Sequence, residues 1–128
     1  MLLNGGSLAG CRYLSAAAPK LLSTPQTGNL PTGCFQNETH GNRGTNQGWG
    51  IGTCVLRTPH EDVAEMLSPG GYGPGGAWGT QAWINPVNGV AYALMVQRSN
   101  FPNSDASDDR REFQKAATTA LANGKAKP

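Results

Sequence analysis

The chain has 128 residues and a formal charge of only +2, its ten basic and eight acidic residues spread thinly, which argues against a nucleic-acid partner. Leu, Ile, Val and Phe total 21 against 18 Gly and 9 Pro, so core material is thin, yet three Trp, three Tyr and the low charge set the chain apart from disordered sequences. No apolar run approaches a membrane span, and Met1-Leu2-Leu3 lacks the basic start and apolar stretch of a secretory signal.

Met1-Leu2-Leu3-Asn4-Gly5-Gly6 reads as the last turn of a helix and its glycine stop. Three residues do not nucleate a helix, so the body of that helix is expected upstream of residue 1, and the chain is expected to be the carboxy-terminal portion of a larger domain. Residues 1–24 then close a helical region, with a short helix around Ser15 to Ala18, interrupted by Pro19 and resuming through Lys20-Leu21-Leu22. Residues 25–48 are polar and rich in Gly, Asn, Thr and Pro, a long surface loop.

Residues 49–98 carry strands and a glycine-rich loop. Trp49 to Leu56 suits a single strand, followed by a short helix at Glu61 to Leu67 and the connection Ser68-Pro69-Gly70-Gly71-Tyr72-Gly73-Pro74-Gly75-Gly76. Ala77 to Ile84 and Gly89 to Arg98 read as two strands joined by Asn85-Pro86-Val87-Asn88-Gly89, whose Pro and Asn-Gly supply turn geometry. The spacing predicts a last helix over 105–122, acidic in its first turn and ended by Asn123-Gly124, with Ala106, Phe113, Ala117, Ala120 and Leu121 on the face that packs on the hairpin.

Most chemical motifs fail on context. Gly71 to Gly76 fits the letters G-x-G-x-x-G, but a dinucleotide fingerprint follows a strand and opens a helix, whereas this one leads into a strand. His40 and His60 have no second ligand at metal spacing, so no metal site is expected, and no cofactor. Cys11, Cys34 and Cys54 match no C-x-x-C spacing and read as buried structural thiols in a reducing compartment. Asn37-Glu38-Thr39 is a glycosylation sequon by pattern only. No Ser sits in a G-x-S-x-G elbow, and no Ser is followed three residues later by Lys, so a nucleophile and its base cannot be assembled from this chain.

Taken in order, Met1 to Gly6, Gly48 to Leu56, Gly75-Gly76-Ala77-Trp78-Gly79-Thr80-Gln81-Ala82-Trp83 and the stretch Gly89 to Ser107 resemble the carboxy-terminal part of the beta-lactamase-related serine hydrolases, a family similar to class C beta-lactamases, penicillin-binding proteins and their esterase relatives. The resemblance implies an α+β fold: part of a beta-lactamase/transpeptidase-like domain, with antiparallel strands and a C-terminal helix packed on the sheet. It implies catalysis through a Ser-x-x-Lys helix, a Tyr-x-Asn-type loop and a Lys/His-x-Gly strand element, of which only the third has a counterpart here. That counterpart is Pro74-Gly75-Gly76, with the Ala77 backbone N–H as one oxyanion donor and Trp78 at the pocket rim. Pro74 stands where the family has a base, and it offers neither charge nor N–H.

The resulting expectation is a fragment of a serine hydrolase acting on a small ester or amide through an acyl-serine intermediate, inactive alone, whose partner is the missing amino-terminal part of the fold. No nucleic-acid or membrane partner is expected. The chain as written reads as cytoplasmic, and as periplasmic if a signal peptide lies upstream. The alternatives are one half of a split hydrolase, or a non-enzymatic interaction module presenting Trp49, Trp78 and Trp83.

Overall fold

The computed structural model describes residues 1–30, 47–58, 68–76, 78–98 and 108–125. Among the described residues, seven strands and two helices follow a short 3-10 helix, Leu2–Asn4. A two-stranded hairpin, β1 (Ser7–Leu8) and β2 (Cys11–Arg12), precedes helix α1 (Ala18–Ser23). Strands β3 (Gln47–Trp49), β4 (Cys54–Leu56), β5 (Tyr72–Gly73), β6 (Gln81–Asn85) and β7 (Val90–Leu94) form one antiparallel sheet in chain order, and helix α2 (Asp108–Lys125) follows. The α+β architecture, antiparallel sheet plus C-terminal helix, is the one the resemblance implies.

The first residues do end a helical turn: Gly5 takes the left-handed conformation (φ 61°, ψ 31°) and its N–H bonds Leu2 O. No turn signal in the sequence announces the β1–β2 hairpin behind it. Ala9 and Gly10 both have positive φ, the geometry of a two-residue type I′ turn, but Ala-Gly lacks the Asn or Asp that announces one in sequence. Pro19 does not interrupt α1; it occupies the first turn, where its missing N–H has no intrahelical partner to lose.

Two further expectations need correction. The single strand over 49–56 is a hairpin, because the chain reverses at residues 50–53, where Gly50 N donates to Thr53 O at 2.9 Å and Gly52 adopts φ 72°. The loop over 25–48 accordingly gives way to β3 at Gln47. Nor is the glycine-rich connection simply a loop, since Tyr72-Gly73 is the middle strand of the five. A Cβ on Gly73 would run into the Ala82 carbonyl and the Trp83 Cα, so glycine is what lets β5 and β6 approach. The helix expected at Glu61 to Leu67 lies outside the described residues.

Side-chain alternation along β6 is regular: Gln81, Trp83 and Asn85 are buried, Ala82 and Ile84 half-buried. Register places Trp83 opposite Tyr92, and Cys54 and Leu56 join them in the core cluster. Helix α2 covers this face. Phe113 meets Tyr92 with ring centroids 5.6 Å apart, and buried Gln114 donates to Gln81 Oε1 (3.0 Å) and to the Tyr92 hydroxyl (2.9 Å). The docking face is therefore Phe113, Gln114, Ala117 and Thr118. Leu121 and Ala120, expected on it, are exposed, and the helix runs through Asn123-Gly124 to Lys125. A glutamine at the centre of the contact is a polar residue that apolar periodicity does not count.

At the opposite edge of the sheet, the segment after α1 lies against β3. Gln26 N donates to Trp49 O at 2.6 Å, Trp49 N to Thr27 Oγ1 at 3.2 Å, and Arg57 reaches the Gly28 carbonyl. Cys54 is fully buried, as read from sequence, whereas Cys11 is exposed on β2, where a two-residue strand leaves no interior to hide it; Cys34 lies outside the described residues.

Tyr72, 2% exposed, has its phenol pushed above the ordinary value of 10.0 by burial. The unfolded chain therefore releases this proton first as pH rises, so stability present below about pH 10 is lost above it. Tyr72→Phe should flatten the fall in urea midpoint between about pH 9 and about pH 11. An unchanged slope would clear Tyr72 of that role.

Candidate functional site

The strands β5 and β6 continue past their formal ends into a tight hairpin, which carries the described site residues Pro74, Gly75, Gly76 and Trp78. Ala82 N donates to Pro74 O (3.0 Å), Gly76 N to Thr80 O (2.8 Å) and Gly79 N to Gly76 O (3.0 Å), with Gly79 at φ 92° closing the turn. Pro74, Gly75 and Gly76 thus form an ordered strand extension. Gly76 is held tight, since a Cβ there would strike the Thr80 hydroxyl.

This bonding pattern fixes the direction of one amide. Gly75 and Gln81 form an antiparallel bridge whose bonds are made by the flanking residues, Pro74 O with Ala82 N and Gly76 N with Thr80 O. In such a pair the two central residues do not bond each other, so the N–H and C=O of Gly75 point away from β6. On that side β4 pairs with β5 only as far as Cys54 opposite Gly73. Gly75 therefore turns its backbone toward an edge that lies past the end of β4. A strand-edge N–H with no Cβ beside it is the kind of preorganised donor that a developing oxyanion requires.

Trp78 stands on the turn and is 56% exposed. Its carbonyl accepts from Arg98 N at 2.9 Å, which ties the turn to the chain leaving β7. Between them opens a pocket of 420 Å³ lined by Trp78, Thr80, Met95, Val96 and Gln97. Nothing in the sequence marks Met95, Val96 and Gln97 as functional; they carry the alternation of β7 on past Leu94, where its pairing with β6 ends, and only the fold brings them beside Trp78. Arg98 itself is ion-paired with Asp109 at the start of α2.

The structure thus brings together Pro74, Gly75, Gly76 and Trp78 on one hairpin, while Ala77 lies outside the described residues. Trp83, counted in the alternative three-tryptophan surface, is fully buried and belongs to the core; Trp49 is 40% exposed. Among the described residues no group of three His, Cys, Asp or Glu could hold a metal ion, and no helix is long and apolar enough to cross a membrane.

A family model described as Beta-lactamase matches residues 7–117. No curated protein matches the chain.

Proposed function

The chain belongs to the beta-lactamase family, and from that premise we propose that it forms the strand-side wall of an acyl-transfer pocket in a serine hydrolase cleaving esters or amides. The observation that carries this reading is the β5–β6 hairpin, where Gly75 turns its backbone outward beside Pro74 and Gly76. By the family resemblance the Ala77 backbone N–H supplies one donor to the tetrahedral oxyanion, the outward Gly75 N–H lies beside it in sequence, and Trp78 borders the substrate. The nucleophilic hydroxyl and its amine base come from sequence outside these 128 residues, because no Ser here precedes a Lys by three positions. Exposed Leu3 and Leu8 near the chain start favour a surface that another part of the fold covers. Pro74 removes the cation from the third motif, so any proton relay also comes from that other part.

Alone, the chain should form no acyl-enzyme. Incubation with a fluorescent beta-lactam and with a fluorophosphonate is expected to leave it unlabelled, by gel fluorescence and intact mass. Adding a polypeptide that carries a Ser-x-x-Lys helix of the family should give label on that polypeptide. Covalent labelling of the lone chain would overturn the assignment of the nucleophile. A mixture that neither labels nor hydrolyses an ester or a cephalosporin would count against the pocket reading.

A further inference from the structure

The pocket beside Trp78 has a chemistry that narrows the substrate. Its volume of about 420 Å³ falls within the range of small-molecule sites, and among the described residues the side chains that line it, Trp78, Thr80, Met95, Val96 and Gln97, carry no charge. Two of them are large apolar groups left in solvent, Trp78 at 56% and Met95 at 82% exposure. Core packing makes no use of that surface, and a paired tryptophan and methionine suit apolar ligands of varied shape. The wall is held in place before any ligand arrives, because Arg98 N–H bonds the Trp78 carbonyl at 2.9 Å.

Charge points the same way. Arg98, the residue after the lining stretch, is ion-paired with Asp109, and Pro74 at the head of the hairpin extension is neutral. Among the described lining residues an entering carboxylate would lose hydration without gaining a cation, whereas a methylene chain would only shed water. Building on the serine-hydrolase reading, we propose that this pocket holds the uncharged apolar arm of an ester, so that the site takes apolar esters in preference to carboxylate-bearing lactams.

The test is a binding measurement that needs no turnover. The 128-residue chain, labelled with carbon-13 at the methyl groups of its three methionines, is titrated with ethyl butanoate, ethyl hexanoate, hexanoate anion and benzylpenicillin. The Met95 methyl should shift with both esters, and affinity should rise about fourfold per methylene, or about 15-fold from butanoate to hexanoate. Hexanoate anion and benzylpenicillin should bind at least about tenfold more weakly than ethyl hexanoate. Met95→Lys changes a side chain that is 82% exposed, so it should leave the fold intact and abolish the ester response, read for this variant at the Trp78 indole N–H. Chain-length-independent shifts, penicillin binding as tight as the ester, or ester affinity unchanged in the lysine variant would each overturn the proposal. A complemented chain that hydrolyses penicillin while Met95 ignores esters would sink this inference and leave the hydrolase reading standing. Ester binding at Met95 without any acylation in the complemented mixture would do the reverse.

Discussion

Gly73→Ala should destabilise the chain by about 3 kcal/mol, the upper end of what one added carbon costs in a packed interior. The new Cβ would meet the Ala82 carbonyl and the Trp83 Cα, which are backbone atoms of β6 and cannot swing aside as a side chain would. Alanine also stiffens the unfolded chain, which offsets the loss by about 0.4–1 kcal/mol. The clash wins because relieving it means moving β5 out of the middle of a five-stranded sheet, with Tyr72 and its pairing to both neighbours. Gly124→Ala is the natural control: it lies in the last turn of α2 with nothing near its missing Cβ, and should stabilise by about 0.5–1 kcal/mol. Urea midpoints of the two variants should therefore move in opposite directions. A Gly73→Ala midpoint equal to that of the parent would mean that β5 and β6 are not in this register.

That glycine also shows where sequence reading stops. The β6–β7 hairpin was legible because its turn chemistry is local: Asn85 Oδ1 accepts from the N–H of Val87 (3.1 Å) and Asn88 (3.2 Å), and Gly89 supplies φ 65°. Cys54 was legible as a buried thiol for the same kind of reason, since it stands in an apolar run. Tyr72-Gly73 was not. Two residues between glycines and a proline carry no period, and only the neighbouring strands, supplied by distant sequence, make them a strand. The opposite error at 49–56 has a related cause, because β-branched and aromatic residues on both sides of Gly50 and Gly52 read as one run until the turn between them is seen.

The candidate site divides similarly. Resemblance pointed to Pro74, Gly75, Gly76, Ala77 and Trp78, and the four of these that are described follow one another through the β5–β6 hairpin. The outward direction of the Gly75 amide depends on which of two alternating pair types it occupies, a matter of register that no residue type announces. The other wall of the pocket, Met95 to Gln97, depends on where β7 stops and on the Arg98 to Trp78 bond, a tertiary contact across twenty residues of sequence.

Trp83→Ala should be the most damaging single truncation, costing about 3–5 kcal/mol. Trp83 is fully buried, sits opposite Tyr92 and forms the core with Cys54 and Leu56. Trp83→Phe should cost much less than volume alone suggests. The indole Nε1 is buried with no hydrogen-bond partner among the described residues, and an unpaired buried donor carries a penalty of about 1–3 kcal/mol that phenylalanine removes. Lost ring volume and a recovered desolvation penalty then oppose each other, so the phenylalanine variant should fall within about 1.5 kcal/mol of the parent. Because Trp83 follows Gln81 by two positions on the same face of β6, loss of its ring also loosens the strand that carries the Gln114 contact and, through Thr80, one wall of the pocket. Thermal unfolding of the two variants, followed by tyrosine and far-ultraviolet signals, separates these terms. Equal destabilisation by alanine and phenylalanine would mean that the indole nitrogen does have a partner, and that its loss rather than the ring's sets the cost.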